Sequence, residues 1–184
     1  AQSIGGDLNA TDVDGPATFV VQTGAAGSNG HGSFNIDAAG TWTYTMNNAH
    51  DEFVAGQTYT DSVTVATADG TTQVITVTIA GSNDAAVLSA DVRDLVETDA
   101  ALAASGTLII SDVDSPATFV AQSGTTGAYG TFAIDAAGAW TYSATSAHDA
   151  FVAGLTYTDT FTVASADGTT TSVTINILGT NDAA

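Results

Sequence analysis

Short runs of alternating apolar and polar residues recur along the chain, separated by Gly, Asp and Asn. Residues 156–163 read TYTDTFTV. Tyr157, Phe161 and Val163 therefore fall on one face, and the threonines fall on the other. Residues 171–178 alternate in the same way. Because a period of two is that of a β-strand with one buried face, the pattern predicts an all-β protein.

The chain consists of two copies of one sequence. Residues 12–20 (DVDGPATFV) recur as residues 112–120 (DVDSPATFV), and residues 36–44 (IDAAGTWTY) recur as residues 134–142 (IDAAGAWTY). The offset between the copies falls from 100 residues to 98, so the first copy carries two extra residues, most simply in a Gly-rich loop. We therefore predict two tandem domains, residues 1–84 and residues 85–184.

Seven strands are expected in the second copy, at residues 86–92, 106–111, 117–122, 130–135, 139–144, 156–164 and 171–178. Short strands with a turn every 8–12 residues or so are typical of an immunoglobulin-like antiparallel β-sandwich, and we favour the cadherin-like version. Tyr157 stands near the start of the sixth strand, where a tyrosine corner is expected. The first copy begins close to the equivalent of Gly106, so it is expected to lack the initial strand.

The aromatic side chains and histidines are interpreted as structural. The two Trp-Thr-Tyr segments are in phase with their hairpin partners, which favours core packing over a sugar-stacking platform. His50 and His148 lack a paired nucleophile and are expected to form local hydrogen bonds, in a segment that we interpret as a short helical turn. His31 lies in the Gly-rich loop and is expected to be exposed.

The charge composition excludes several classes of function. The 184 residues contain 20 Asp and Glu but a single Lys or Arg, Arg93, so the net charge is −19. Binding to nucleic acid or to anionic lipid requires clustered basic residues, which this chain does not have. No apolar run approaches the roughly 18 residues of a membrane span. With no Cys, the chain has neither disulfides nor thiolate metal sites.

Acidic residues are expected to converge at the poles of the sandwich. Loops that follow the second, fourth and sixth strands return to the pole where the first strand begins. This pole of the second copy would gather Asp112, Asp114, Asp135 and Asp167 beside the linker residues Asn83 and Asp84. The equivalent acids of the first copy are Asp12, Asp14, Asp37 and Asp69. Glu97 is expected at the opposite pole, near Asn181 and Asp182.

Clustered carboxylates without basic partners predict a calcium site. Ca²⁺ takes six to eight oxygen ligands at about 2.3–2.6 Å, whereas Mg²⁺ dehydrates reluctantly and Zn²⁺ prefers Cys and His. The alternative for each Asp is a turn former that binds its own backbone. Asp61 and Asp159 fall on the apolar face of their strands, where a hydrogen-bonded acid and a calcium ligand are both open.

These motifs, together with TYTD at residues 58–61, ADGT at residues 68–71 and NDA at residues 83–85, resemble the bacterial VCBS repeat of very large secreted adhesins. The resemblance covers nearly the whole chain, twice. It implies an extracellular or cell-surface protein, often exported by type I secretion and used in attachment and biofilm. The chain also resembles cadherin repeats, which implies interdomain calcium ligands at Asn83, Asp84, Asp112, Asp114 and Asp167.

The sequence therefore predicts a non-enzymatic structural segment of a bacterial adhesin or filament, which extends and spaces the molecule and is stiffened by Ca²⁺. Its expected partners are neighbouring repeats of the same chain or fibre. Two alternatives stay open: a module that binds glycans or cell-surface proteins, and a fibre subunit that assembles by strand addition at an open sheet edge. Catalysis is disfavoured because the acids stand in turns without a cleft.

Overall fold

A computed structural model describes residues 2–181 of the chain. The chain divides into two compact units, Ala1–Asn83 and Asp84–Ala184, which we call repeat 1 and repeat 2. Every regular element within the described residues is a β-strand. The fold is therefore all-β, as the alternating pattern predicts.

Repeat 1 contains six strands. They are β1 (Ser3–Asp7), β2 (Gln22–Ala26), β3 (Gly32–Ile36), β4 (Thr41–Met46), β5 (Thr58–Ala66) and β6 (Thr72–Ala80). One sheet has the order β1-β4-β3-β2, and the other is the antiparallel pair β5-β6. Within residues 2–83, no strand pairs with the outer edge of β6.

Repeat 2 contains nine strands. They are β7 (Val87–Leu88), β8 (Asp91–Val96), β9 (Ala103–Thr107), β10 (Ile110–Ser111), β11 (Gln122–Thr126), β12 (Gly130–Ile134), β13 (Ala139–Ala144), β14 (Thr156–Ala164) and β15 (Thr170–Leu178). The sheet β11-β12-β13-β9 faces the sheet β14-β15-β8, and β7 pairs with β10. The strand β8 runs parallel to β15, while the other pairs are antiparallel.

The initial strand of repeat 2 differs from the expected single strand at residues 86–92. It is split into β7, which pairs with β10, and β8, which pairs with β15. The strand β8 extends the β14-β15 sheet, whereas β7 forms a separate two-stranded sheet with β10. Repeat 1 shows no equivalent strand in its described residues, in line with the expectation that it lacks this element.

The third expected strand, at residues 117–122, is also shifted. Only Phe119 forms a bridge, to Ser165, and the regular strand begins at Gln122. Pro116 removes one backbone donor just before this segment, which disfavours an earlier start of the ladder. The hairpin β12–β13 is confirmed; its turn places Gly138 at a φ of 89°, where a Cβ would lie 2.4 Å from the carbonyl oxygen of Leu108.

The core of repeat 2 lies between its two sheets and consists of the alternating apolar residues. Its largest fully buried members are Trp140, Tyr142, Phe132 and Ile175. Repeat 1 uses Tyr44, Phe34 and Val65 in the same way, but Trp42 is only half-buried. Core packing of the Trp and Tyr residues of these segments is thus confirmed; Trp42 packs against the core of repeat 1 while remaining half-buried.

The tyrosine corner is present in both repeats. The hydroxyl oxygen of Tyr157 accepts a hydrogen bond of 3.0 Å from the backbone amide of Val152, five residues earlier. Tyr59 makes the same bond with Val54 at 3.1 Å. Each bond closes the loop that precedes the long strand.

The expected helical turn near His148 is a single hydrogen-bonded turn that does not continue as a helix. The amide of Phe151 donates to the carbonyl oxygen of His148 at 2.8 Å, and the φ of His148 is 63°. His50 has the same conformation, with a φ of 57°. The segment is a tight turn in both repeats.

Candidate metal site

The pole of repeat 2 where β7 begins contains two carboxylates with unsatisfied oxygens. Asp112 Oδ1 accepts hydrogen bonds from the amides of Asp114 (3.1 Å) and Ser115 (2.8 Å). Asp114 is 8% exposed, and its Oδ2 accepts a bond of 3.3 Å from the amide of Asp84. Asp112 Oδ2 and Asp114 Oδ1 are buried and have no hydrogen-bond partner within residues 2–181. Buried anionic oxygens without partners are costly, so this pole is suited to a cation.

Asp167 anchors the chain that enters this pole. It accepts hydrogen bonds from the amides of Thr169 and Ala86, both at 3.0 Å, and from the hydroxyl of Ser165. The bonds from Ser165, Thr169 and Ala86 hold the pKa of the Asp167 carboxyl well below its usual value. The carboxylate is therefore ionised and ties residues 84–86 to the turn between β14 and β15.

Glu97 lies at the opposite pole of repeat 2, where β8 ends. It is 2% exposed, and its Oε2 accepts bonds from the amide (2.8 Å) and hydroxyl (3.1 Å) of Thr180. Its Oε1 is buried and has no hydrogen-bond partner in the described part of the chain. Glu97 is therefore close to Asn181, because it is hydrogen-bonded to Thr180, the preceding residue in the sequence. Asp182, the other residue expected here, lies outside the described residues.

The remaining acids of the expected sites form turns. Asp135 Oδ1 accepts bonds from the amides of Ala137 and Ala139, and Asp37 does the same in its hairpin. Asp12 Oδ1 accepts from the amides of Asp14 and Gly15, and Asp69 binds Thr67 and Thr71. Asp14, Asp37, Asp69 and Asp135 are exposed, and Asp12 is half-buried. The turn-forming alternative describes the hydrogen bonds of Asp12, Asp37, Asp69 and Asp135.

Asp61 is an internal anchor of repeat 1. Its carboxylate is fully buried and accepts bonds from the amides of Asn29 (2.8 Å), His31 (3.0 Å) and Gly32 (3.1 Å). The hydroxyl of Tyr44 donates a fourth bond of 3.1 Å. Burial raises the pKa of Asp61, but these four bonds outweigh it and the pKa is lowered. The hydrogen-bonded alternative therefore describes this acid, and its role is to hold the Gly-rich loop.

Burial and the nearby Asp61 carboxylate raise the pKa of Tyr44 to about 12. The equivalent pair of repeat 2 is Asp159 and Tyr142, joined by a bond of 3.0 Å. The sequence pattern singled out Asp61 and Asp159 as acids on an apolar face, but it did not identify the tyrosine hydroxyls as their partners. The only sequence feature that could have indicated this pairing is that Tyr44 and Tyr142, like the two acids, fall on the inward faces of their strands.

The histidines form local hydrogen bonds, as expected. His50 Nδ1 lies 2.7 Å from Glu52 Oε1, and its Nε2 lies 2.8 Å from the carbonyl oxygen of His31. The bond to Glu52 is the main cause that raises the pKa of His50. The expectation that His31 is exposed is wrong, because its half-buried ring packs edge-on against Phe53 at 4.9 Å between ring centroids.

Carboxylates alone do not form a complete metal cage. Among residues 2–181, no three or more His, Cys, Asp and Glu side chains come together in a group that could hold a metal ion. The topology does bring Asp112, Asp114 and Asp167 to the pole where residues 84–86 enter. A cation at this pole would need backbone or amide oxygens besides the side-chain carboxylates.

Comparison with known families gives a match to both repeats. The model of the bacterial cadherin-like domain matches residues 1–81 and residues 83–179. No curated protein matches the chain. In the described residues, the structure has no helix with the length and apolar character needed to cross a membrane.

Several solved structures are similar to the chain at low identity. Drosophila N-cadherin EC1-4 is 17% identical with a TM-score of 0.45, over 89% of this chain and 40% of that one. The protocadherin gammaB7 EC3-6 cis-dimer is 11% identical (TM-score 0.42), over 89% of this chain and 41% of that one. The human desmocollin-1 ectodomain is 15% identical (TM-score 0.41), over 96% and 38%. The chain thus spans about two fifths of the length of each.

Proposed function

Because the chain belongs to the bacterial cadherin-like domain family, we propose that it is a structural segment of a bacterial extracellular adhesin or surface filament. Its repeats extend and space the molecule, and Ca²⁺ bound at their poles stiffens it. The motifs that resemble the VCBS repeat support an extracellular setting. The partners in this role are neighbouring repeats.

One observation carries the calcium proposal. Repeat 2 buries three carboxylate oxygens that have no hydrogen-bond partner within the described residues: Asp112 Oδ2, Asp114 Oδ1 and Glu97 Oε1. An orphaned anionic oxygen is destabilising unless a cation satisfies it. The sequence contains one basic residue, Arg93, and that guanidinium pairs with Asp91 at 3.0 Å. A bound cation would compensate these charges.

Ca²⁺ fits this donor set better than other metals. The donors are carboxylate and backbone oxygens, which Ca²⁺ accepts in flexible arrangements of six to eight ligands. Asp112 and Asp114 would hold the ion at the pole where β7 begins, with Asp84, Asp167 and the linker residue Asn83 completing the set. Glu97 would hold a second ion at the opposite pole. The turn acids Asp12, Asp14, Asp37, Asp69 and Asp135 would act as ligands only if another molecule supplied the remaining oxygens, so they are not part of this proposed site.

Calcium would change the mechanics of the segment through charge and through tethering. At a separation of 4 Å, two carboxylates repel by about 1 kcal/mol even in bulk water, and by more near a protein surface. A bound divalent cation removes this repulsion and ties residues 84–86 to the turns at Asp112 and Asp167. Chelation would release them and leave the acids repelling.

The proposal is tested by calorimetric calcium titration, with thermal melting in Ca²⁺ and in EDTA. We expect saturable binding, in the range of about 10⁻⁴–10⁻³ M of extracellular modules or tighter, and a higher melting temperature in Ca²⁺. Asp114→Asn should weaken binding, whereas Asp135→Asn, in an exposed turn of the same repeat, should leave it unchanged. Equal melting temperatures in Ca²⁺ and EDTA would remove calcium from the account.

Glycan binding receives no support from a specific contact surface. The aromatic residues that a sugar would stack on are the ones that fill the cores: Trp140, Tyr142 and Tyr44 are each 1% exposed. The acids that form hydrogen bonds lie either in turns, such as Asp37 and Asp135, or on the buried face of a strand, as Asp61 and Asp159 do. We therefore propose a structural rather than a catalytic or sugar-binding role.

A further inference from the structure

The two extra residues of repeat 1 lie in the Gly-rich loop, residues 24–32, where residues 28–30 take the place of Ala128 alone. This insertion has no part in the proposed calcium sites. It contains Asn29, which is the only one of the eight asparagines of the chain that is followed by glycine. The insertion therefore brings into repeat 1 a dipeptide that repeat 2 does not have.

The insertion lies along the edge of β5 that does not pair with β6. The amide of Ser28 donates a hydrogen bond of 2.9 Å to the carbonyl oxygen of Ser62, and Oγ of Ser28 accepts one of 3.2 Å from the amide of Ser62. Ser62 is half-buried, whereas its equivalent in repeat 2, Thr160, is exposed. The insertion therefore covers a stretch of strand edge that stays exposed at the same position of repeat 2.

Asn29 fastens the insertion to this edge through two bonds. Its backbone amide donates a bond of 2.8 Å to Oδ1 of Asp61, and its side-chain Nδ2 donates a bond of 2.6 Å to the carbonyl oxygen of Thr60. The second bond requires an amide, because a carboxylate has no donor to offer to a carbonyl oxygen. A carboxylate at position 29 would also place a second negative charge near the buried Asp61.

The surroundings of Asn29 leave it open to deamidation, the loss of its side-chain amide as ammonia. Asparagine is a chemically labile residue, and a following glycine exposes the backbone nitrogen that attacks it, because glycine has no Cβ. A Cβ built at Gly30 would meet no atom within 4 Å, and both Asn29 and Gly30 are exposed to water. Asn48 is exposed as well, but it is followed by Ala49.

We propose that Asn29 is a site of spontaneous deamidation, and that this modification releases the Gly-rich loop from β5. The backbone nitrogen of Gly30 attacks Cγ of Asn29, the Cγ–Nδ2 bond breaks, and Nδ2 leaves as ammonia with the proton that the Gly30 nitrogen gives up. Water then adds to either carbonyl carbon of the cyclic imide and breaks its bond to nitrogen, which gives aspartate or isoaspartate. Water is the only co-reactant, and no group is oxidised or reduced.

The native hydrogen bonds restrain this reaction. The nitrogen of Gly30 donates its proton in a bond of 3.0 Å to the carbonyl oxygen of Gly27, and Nδ2 of Asn29 is bonded to Thr60. Both bonds must open before the nitrogen can reach Cγ, so the reaction proceeds from a locally open loop. Its rate follows the population of that open state, which the four bonds to Asp61 keep low.

Each product loosens the loop in its own way. Aspartate removes the donor to Thr60 and places two acceptor oxygens against each other. Isoaspartate adds a methylene group to the main chain, which shifts the amides of His31 and Gly32 away from Asp61. The modification is irreversible, so repeat 1 loses this anchor with age, whereas repeat 2 keeps its own. The inference goes beyond the proposed structural role and does not depend on calcium.

The test incubates the full chain in EDTA at mildly alkaline pH and follows each asparagine by peptide mapping with mass spectrometry. A synthetic peptide with the sequence of residues 27–32, GSNGHG, gives the unrestrained rate. We expect the mass gain of an amide-to-acid conversion at Asn29, more slowly than in the peptide, and none at the exposed Asn48. Conversion of the native chain as fast as the peptide would contradict the restraint by the loop.

Variants of the buried acids test whether Asp61 controls the reaction. Asp61→Ala should accelerate conversion of Asn29 at least about tenfold, because several bonds that hold the loop closed are lost. The matched control Asp159→Ala removes the equivalent anchor of repeat 2 and should leave the rate at Asn29 unchanged. Tyr44→Phe, which deletes a single donor to Asp61, should give a smaller acceleration and serves if Asp61→Ala does not fold. Equal acceleration by Asp159→Ala and Asp61→Ala would contradict control by Asp61.

The release of the loop has its own readout. Asn29→Asp reproduces the aspartate product and should speed hydrogen exchange at the amide of Ser62 at least about fivefold in EDTA, whereas Asn48→Asp should not change it. Unchanged exchange in Asn29→Asp would overturn the release. No conversion of Asn29 in the native chain, under conditions that convert the peptide, would overturn the site itself. Because EDTA is present throughout, either failure leaves the calcium proposal untouched.

Discussion

The hydroxyl of Tyr142 donates a hydrogen bond of 3.0 Å to Oδ2 of Asp159, and both side chains are buried. The same carboxylate accepts bonds from the amides of Ala128 and Tyr129. Repeat 1 reproduces the arrangement with Tyr44 and Asp61. In repeat 2, the buried acid Asp159 of β14 therefore holds the loop that precedes β12. In repeat 1, Asp61 of β5 holds the loop that precedes β3 in the same way.

Asp159→Asn should destabilise repeat 2 by about 1–3 kcal/mol, because an amide nitrogen would face backbone donors that now meet a carboxylate oxygen. Asp61→Asn should do the same to repeat 1. Chemical denaturation monitored by circular dichroism measures both. Tyr142→Phe, which removes one donor and keeps the ring, serves as the milder comparison at about 1 kcal/mol. Stability unchanged by Asp159→Asn would show that this acid does not hold the loop.

His50 should titrate above its ordinary pKa. Each ring nitrogen faces an acceptor oxygen, and both nitrogens can donate a hydrogen bond only when the ring is protonated. The folded-state pKa is raised by the bond to Glu52 despite burial. The stabilisation is therefore complete below pH 6.5, the ordinary value, and is lost as the pH rises through the raised pKa. Glu52→Ala, which reproduces Ala150 of repeat 2, should lower the pKa of His50 in an NMR titration.

The control for this titration is Asp51→Ala, which removes an exposed neighbouring acid and leaves the bond between His50 and Glu52 in place. It should shift the pKa of His50 much less than Glu52→Ala does. If the two variants shift it equally, general acidity of the segment rather than the specific hydrogen bond raises the pKa.

Glu97→Gln should change the stability of repeat 2 in opposite directions with and without calcium. In EDTA it removes a buried charge whose Oε1 has no partner in the described residues, so we expect stabilisation by about 1 kcal/mol. In Ca²⁺ it removes a ligand, so part of the calcium-induced rise in melting temperature should disappear. A variant that melts like the native chain under both conditions would argue against a cation at this pole.

The two tryptophans should differ in their access to solvent. Trp42 is half-buried, whereas Trp140 is 1% exposed under Arg93. Acrylamide should therefore quench the fluorescence of a Trp140→Phe variant, which retains Trp42, several-fold more efficiently than that of a Trp42→Phe variant. Equal quenching constants would mean that Trp42 is as well shielded from solvent as Trp140.

Much of the fold follows from local patterning. Alternation in residues 156–163 predicts a strand with a buried face, and the two turns IDAAG predict hairpins, because both depend on neighbours in sequence. The errors arise where a distant partner decides the structure. The initial strand of repeat 2 is split because its first half pairs with β10 and its second half pairs with β15. His148 adopts a left-handed φ, which the periodicity of the sequence does not indicate.

The candidate sites show the same division. Topology alone brings Asp112, Asp114 and Asp167 to one pole and Glu97 to the other. Which carboxylate oxygens are satisfied depends on individual hydrogen bonds. Asp135 and Asp37 close their own turns, whereas Asp112 Oδ2 and Asp114 Oδ1 are buried without partners in the described chain. Sequence spacing cannot distinguish these cases, because all four acids occupy similar turn-forming contexts.

The amino-acid sequence by itself determines a tandem all-β protein with two related repeats, a strongly acidic composition and a single Lys or Arg, which is too few for binding a polyanion. These properties are sums over residues or patterns of period two, and they need no knowledge of distant contacts. The tertiary structure alone decides that Asp61 is a loop anchor and that Trp42 is less covered than Trp140. Each of these depends on whether a segment remote in sequence packs against the residue, and burial is a property of that packing.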